Sequence, residues 1–140
     1  MAKLHFFDTN VLVYAFGADA RKRARAQDLI ETALRTRQGV ISSQVVQEFL
    51  NVATRKFARP MTNDDAVRYF DQVLEPLCVV WPDADLYRRA LALRARFQFS
   101  FYDSLVVAAA LVAGCTTLYS EDFQPGQRID TLSIADPFGE

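Results

Sequence analysis

One histidine, His5, and two cysteines, Cys78 and Cys115, are all that this 140-residue chain offers as soft metal ligands. A closed zinc site takes four such ligands, so zinc-finger chemistry has almost nothing to work with. Histidine-based acid–base catalysis is no better supplied, since His5 reads as a strand residue with no catalytic role. The cysteines lie inside apolar runs and give no disulfide framework; they read as reduced core thiols. Residues 1–7 lack the long apolar core of a signal peptide, and the longest fully apolar run, 105–113, is far short of a membrane span. A cytoplasmic protein is therefore expected. The formal net charge of −1 provides no global field toward nucleic acid or anionic lipid. If the chain is an enzyme, carboxylates must carry the chemistry.

The apolar share of 51% is enough for a sizeable core, and the length fits a single domain over residues 1–140. Short apolar strands alternate with helical patterns throughout. Strands are expected at 3–8, 40–42, 77–81 and 115–119, with a last edge strand at 128–134. Helices are expected at 9–16, 21–37, 44–57, 62–74, 83–97 and 100–114. Ser43 is expected to cap the third of these, Thr62 the fourth through a capping box with Asp65, and Pro76 to break the chain. This alternation predicts an α/β sandwich with a mostly parallel sheet and right-handed crossovers.

In such sheets, ligands bind beyond the carboxyl ends of the strands. Asp8 ends the first strand and Asp122 follows the 115–119 strand, so two acids from different strands reach one edge. Glu48, a turn into the helix after the second strand, and Asp103, at the start of the 100–114 helix, can face the same edge. Each acid also has a plainer role. Asp8 can cap a helix, Asp103 can complete a capping box with Ser100, and Asp122 can shape a turn. Glu48 sits among Val45, Val52 and Phe49, where an acid calls for a partner. Four clustered carboxylates repel one another, and Lys3, Lys22 and Lys56 are the only lysines, so a divalent cation is the simplest counter-charge. All-oxygen ligands suit Mg²⁺ or Mn²⁺, which can hold a phosphate oxygen and activate water.

The segments FFDTNVLVYAF at 6–16, QEFLNV at 47–52, FYDSLVVAAA at 101–110 and LYSEDF at 118–123 resemble PIN domains. More narrowly, they are similar to the VapC-type toxin ribonucleases of bacterial toxin–antitoxin pairs. The resemblance spans nearly the whole chain and implies a three-layer α/β/α sandwich with a mostly parallel sheet. It matches Asp8, Glu48, Asp103 and Asp122 to the family's metal-holding, catalytic acids, and Asn10 and Ser120 to polar companions near the metal. It further implies Mg²⁺- or Mn²⁺-dependent cleavage of RNA, a homodimer, and inhibition by a cognate antitoxin protein. Glu121 is a neighbouring acid to which no role attaches.

Thirteen of the sixteen Lys and Arg lie in 21–37, 55–59 and 88–96, and these segments suit either phosphate contacts or solvated helix faces. Phe97, Phe99, Phe101 and Tyr102 suit base stacking, or core and subunit contacts. A phosphotransferase of the haloacid-dehalogenase kind would need an acid where Asn10 stands. A response-regulator receiver would need a late lysine, and none follows Lys56. The alternative from another class is a catalytically idle PIN domain that binds RNA or protein.

Overall fold

The computed structural model describes residues 3–139. The first strand, β1 (His5–Phe7), buries both Phe6 and Phe7, which point to opposite faces. A strand covered on both faces belongs inside a parallel sheet. There it pairs in parallel with β2 (Gly39–Ser42) on one side and β4 (Thr117–Tyr119) on the other. Beyond β2 lies β3 (Cys78–Val80), and beyond β4 lies β6 (Leu132–Ala135), both parallel to their neighbours. The antiparallel β5 (Arg128–Ile129) completes the order β3-β2-β1-β4-β6-β5. Successive strands step one way from β1 to β3, and the chain then returns to the other side of β1. The crevice between β1 and β4 is therefore the topological switch point, where ligands of open α/β sheets bind.

Helices flank this sheet: α1 (Thr9–Tyr14), α2 (Ala20–Thr36), α3 (Ser43–Arg55), α4 (Asn63–Tyr69), α5 (Glu75–Leu77), α6 (Ala84–Phe97) and α7 (Phe101–Val112). The apolar stripe of α3 buries Val45, Val46, Phe49 and Ala53, and truncating Phe49 to alanine would cost about 3–5 kcal/mol. Helix α7 is buried from Ser104 to Ala110, so its all-round apolar sequence marks a helix central to the fold. Gly39 lets α2 close on the sheet. A Cβ there would lie 2.4 Å from the Ala33 Cβ and 2.7 Å from the Phe7 ring. Among the described residues, no helix is long and apolar enough to cross a membrane.

The mostly parallel sandwich agrees with the alternation in the sequence, but three local expectations do not hold. Ser43 is the first residue of α3 rather than its cap. Strand β2 runs into the helix without a loop, so the cap position falls on Ser42, whose buried hydroxyl has no partner. Pro76 does not break the chain. The helix that Thr62 and Asp65 cap passes through a π-helical stretch, Phe70–Leu74, and continues into α5. Pro76 falls near the end of this continuous helix, directly after the π-helical stretch, where the regular hydrogen-bond ladder is already shifted. The expected edge strand splits into a hairpin, because Asp130 turns the chain with a φ of 54°. Its second arm, β6, lies inside the sheet, and β5 takes the edge.

Candidate metal centre

The register of β1 against β4 sets up the site. Phe7 pairs with Tyr119, so the next residues, Asp8 and Ser120, leave the sheet side by side. The Ser120 hydroxyl donates to Asp8 Oδ2 at 2.7 Å, and the Thr9 N–H donates to Oδ1 at 2.8 Å. Asp8 is thus a helix cap through one oxygen and a site carboxylate through the other. Only 4% of it is exposed. Burial pushes its pKa up to about 6; the bonds from Ser120 and Thr9 oppose that rise, and the charges of Asp122 and Glu48 add to it.

Ser120 also accepts from the Asp122 N–H at 3.0 Å, which shapes the turn and leaves the exposed Asp122 carboxylate at the cavity. Glu48, half-buried on α3, has the partner that its apolar setting demands: the Thr9 hydroxyl donates to its Oε1 at 2.8 Å. At the start of α7, Ser100 Oγ accepts from the Asp103 N–H at 3.1 Å. The capping contact of Asp103 thus uses its backbone, and its side chain lines the cavity. Burial raises the Asp103 pKa above the ordinary carboxylate value, the Ser100 hydroxyl opposes this, and the Asp122 charge adds to it.

Asp8, Glu48, Asp103 and Asp122 all line one cavity of about 430 Å³, together with Thr9, Asn10, Gln44, Asn51 and Tyr102. Among the described residues, no three His, Cys, Asp or Glu side chains form a ready-made cage for a cation. Repulsion keeps bare carboxylates apart, and Mg²⁺ characteristically retains several waters between itself and its protein ligands. Two further features suit a hydrated divalent cation. The protein donors at the cavity include four carboxylates and no sulfur or imidazole. Both polar atoms of the Asn10 amide are buried without a partner, an expensive state that a cation's waters would relieve.

Sequence reasoning missed Thr9, whose hydroxyl was hidden behind its backbone role in α1. It also missed Gln44, whose Nε2 donates to the Tyr102 carbonyl at 3.2 Å. The basic run at 21–25 is engaged by partners within the molecule. Arg21 donates to the Phe138 carbonyl at 3.0 Å, Arg23 to Gly17 at 2.8 Å and Arg25 to Pro137 at 3.1 Å, while Lys22 pairs with Glu121 at 2.9 Å. Burial opposes ionisation of Glu121, but Lys22 and Tyr14 outweigh it and hold the carboxyl below its ordinary value. Phe97, Phe99 and Phe101 pack against the core, whereas Tyr102 is 65% exposed at the cavity rim. His5 begins β1, at the opposite end from the cavity.

Comparison with known proteins agrees with the fold. The overall fold is similar to a toxin–antitoxin complex from Klebsiella pneumoniae, with a TM-score of 0.69 at 20% identity over 95% of this chain and 97% of that one. It is also similar to VapBC2 from Rickettsia felis bound to a promoter DNA fragment, with a TM-score of 0.66 at 16% identity over 94% and 96% of the two chains. A third similar structure is the sarcin–ricin-loop-cleaving toxin VapC20 of Mycobacterium tuberculosis, with a TM-score of 0.60 at 21% identity over 84% and 89%. Among curated proteins, no sequence matches the chain. The family model for the PIN domain matches residues 5–128, and the chain belongs to the PIN domain family.

Proposed function

We propose that the protein is a metal-dependent endoribonuclease of the VapC type, the toxin of a toxin–antitoxin pair. The observation that carries this reading is the meeting of four carboxylates at one cavity on the switch point of the sheet, beside an unpartnered Asn10 amide. Asp8, Glu48, Asp103 and Asp122 would hold Mg²⁺ or Mn²⁺. When bound, the cation would supply the positive charge that a scissile phosphate needs and lower the pKa of an attacking water.

The chain's own residues prepare that site. Ser120 and Thr9 fix both oxygens of Asp8, so its rotamer is set before any ligand arrives. The Thr9 hydroxyl does the same for Glu48. Asp8 and Asp103, both with raised pKa values, are held where a positive charge favours their ionised forms. Tyr102, exposed at the rim, offers a face on which an RNA base can stack.

A cognate antitoxin is proposed as the partner because similar structures are toxin–antitoxin complexes. The direct test is cleavage of structured RNA with Mg²⁺, with Mn²⁺ and with a chelator. The alternative, a catalytically idle PIN domain that binds RNA or protein, has one observation on its side: the acids form no closed cage. Calorimetric titration with Mn²⁺ separates the two, since an idle module has no use for a tight divalent site.

A further inference from the structure

Asp122 is the least enclosed of the four acids, and it is tied to Ser120 through its backbone N–H. Its position therefore depends on its neighbours. On one side, buried Ser120 is tied to Asp8 and to the Ala135 carbonyl. On the other, buried Phe123 packs edge-on against Phe99, with centroids 5.4 Å apart. Between them Glu121 does not line the acidic cavity and instead meets Lys22 at 2.9 Å, with both side chains only 24% exposed.

The ammonium of Lys22 is held before it meets Glu121. Asp19 caps α2 by accepting from the N–H groups of Arg21 and Lys22, which fixes the first turn. The Lys22 Nζ lies 4.6 Å from the centre of the Tyr14 ring and 5.5 Å from that of Phe138, and those two rings meet edge-on at 4.7 Å. Arg21 and Arg25 hold the carbonyls of Phe138 and Pro137, so the last turn of the chain is fastened against α2. The result is a fixed cation in an aromatic seat, aimed at one of two adjacent acids.

We propose that Lys22 is a positioning residue for Asp122, acting through Glu121, and that the pair decides which of the two neighbouring acids faces the cavity. This rests on the metal-site reading above. Paired with Lys22, Glu121 is drawn out of the cavity, and the short turn between Ser120 and Phe123 presents Asp122 alone. Without the lysine charge, Glu121 keeps only the Tyr14 hydroxyl, is freer to turn toward the site as a fifth carboxylate, and the turn loses its charged anchor.

Lys22→Met tests this, because it keeps an unbranched apolar stem over Tyr14 and Phe138 while removing the charge. Two readouts are needed. Amide hydrogen exchange in the metal-free protein should be faster at Asp122 and Phe123 than in wild type. Calorimetric Mn²⁺ affinity should fall about tenfold, the scale seen when a group that orients a metal ligand is lost, with melting temperature little changed. Lys22→Arg, which keeps a cation in the aromatic seat, should retain both wild-type values. Glu121→Gln breaks the pair from the other side, should Lys22→Met fold poorly. Unchanged exchange at Asp122 or unchanged Mn²⁺ affinity in Lys22→Met, or the same losses in Lys22→Arg as in Lys22→Met, would overturn the proposal. Wild-type protein that binds no Mn²⁺ would instead refute the metal reading, while exchange in the metal-free variants would still decide whether the latch exists.

Discussion

Ser120 and Asp8 lie 112 residues apart in sequence and are joined by a 2.7 Å hydrogen bond from the serine hydroxyl to Oδ2. The same hydroxyl accepts from the Asp122 N–H, so one oxygen ties two candidate metal ligands together. Ser120→Ala should leave both groups short of a partner, at a cost of about 1–3 kcal/mol in denaturant unfolding. Because the Ser120 bond favours ionised Asp8, its loss should raise the Asp8 pKa further. Mn²⁺ affinity at pH 6 should fall in step, as calorimetry would show.

The raised pKa of Asp8 gives the metal-free protein an inverted pH dependence at this residue. The folded state holds the proton up to about pH 6, whereas an ordinary aspartate releases it near 3.8. Between these values the folded form binds more protons than the unfolded, so stability falls as pH rises through that window. Burial and the neighbouring charges together make the penalty on the order of 3 kcal/mol above pH 6, at 1.36 kcal/mol per unit. Denaturant unfolding of chelator-treated protein at pH 4.5 and 7 should show about 2 kcal/mol of this contribution, the part that falls above pH 4.5, and Asp8→Asn should remove it. Metal affinity should move the other way, rising with pH as Asp8 ionises.

Thr9→Val tests the orientation of Glu48. Valine keeps the branched shape of threonine and removes only the hydroxyl that donates to Glu48 at 2.8 Å. Cleavage should fall about tenfold with the fold intact, the scale expected when a metal ligand loses the group that orients it. Thr9→Ser should retain most activity, measured under the same Mn²⁺ conditions.

Much of this was legible in the sequence, and the exceptions have physical causes. The strand–helix alternation gave the parallel sheet because each strand's burial and each helix's apolar stripe are local properties. The acids could be placed at one edge because Asp8 and Asp122 follow strands, Glu48 lies a turn into a helix and Asp103 stands in the first turn of another. Glu48 also signalled a missing partner by sitting among valines, but not that the partner was Thr9. That contact joins α1 to α3 across 39 residues, and no local pattern records it. The partners of the 21–25 basic run were hidden for the same reason: they are the carbonyls of Gly17 and of the far end of the chain. The hairpin at Asp130 was missed because an aspartate in the left-handed region leaves a weaker mark than glycine.

Assembly is a separate expectation. Trp81, Tyr87, Leu91 and Val112 are large apolar residues left exposed, and a homodimer would cover such a surface. Light scattering at low micromolar concentration should give twice the 15.8 kDa chain mass. Leu91→Glu should shift the mass toward that of one chain, and a wild-type monomer would contradict the expectation.

The central claim is that the acidic cavity holds a divalent cation that cleaves RNA, and Asp8→Asn tests it most directly. In the variant the amide oxygen can still accept from the Thr9 N–H, and the amide nitrogen can donate to Ser120, so the cap and the fold are kept. The measurement is the rate of structured-RNA cleavage by wild type and variant in Mn²⁺, each repeated with excess chelator. Wild type should cleave with Mn²⁺ and stop with chelator. Asp8→Asn should lose at least about 100-fold in rate, because a charge that holds the cation and its activated water is gone. Wild-type rates in the folded variant, or cleavage that survives the chelator, would contradict the account.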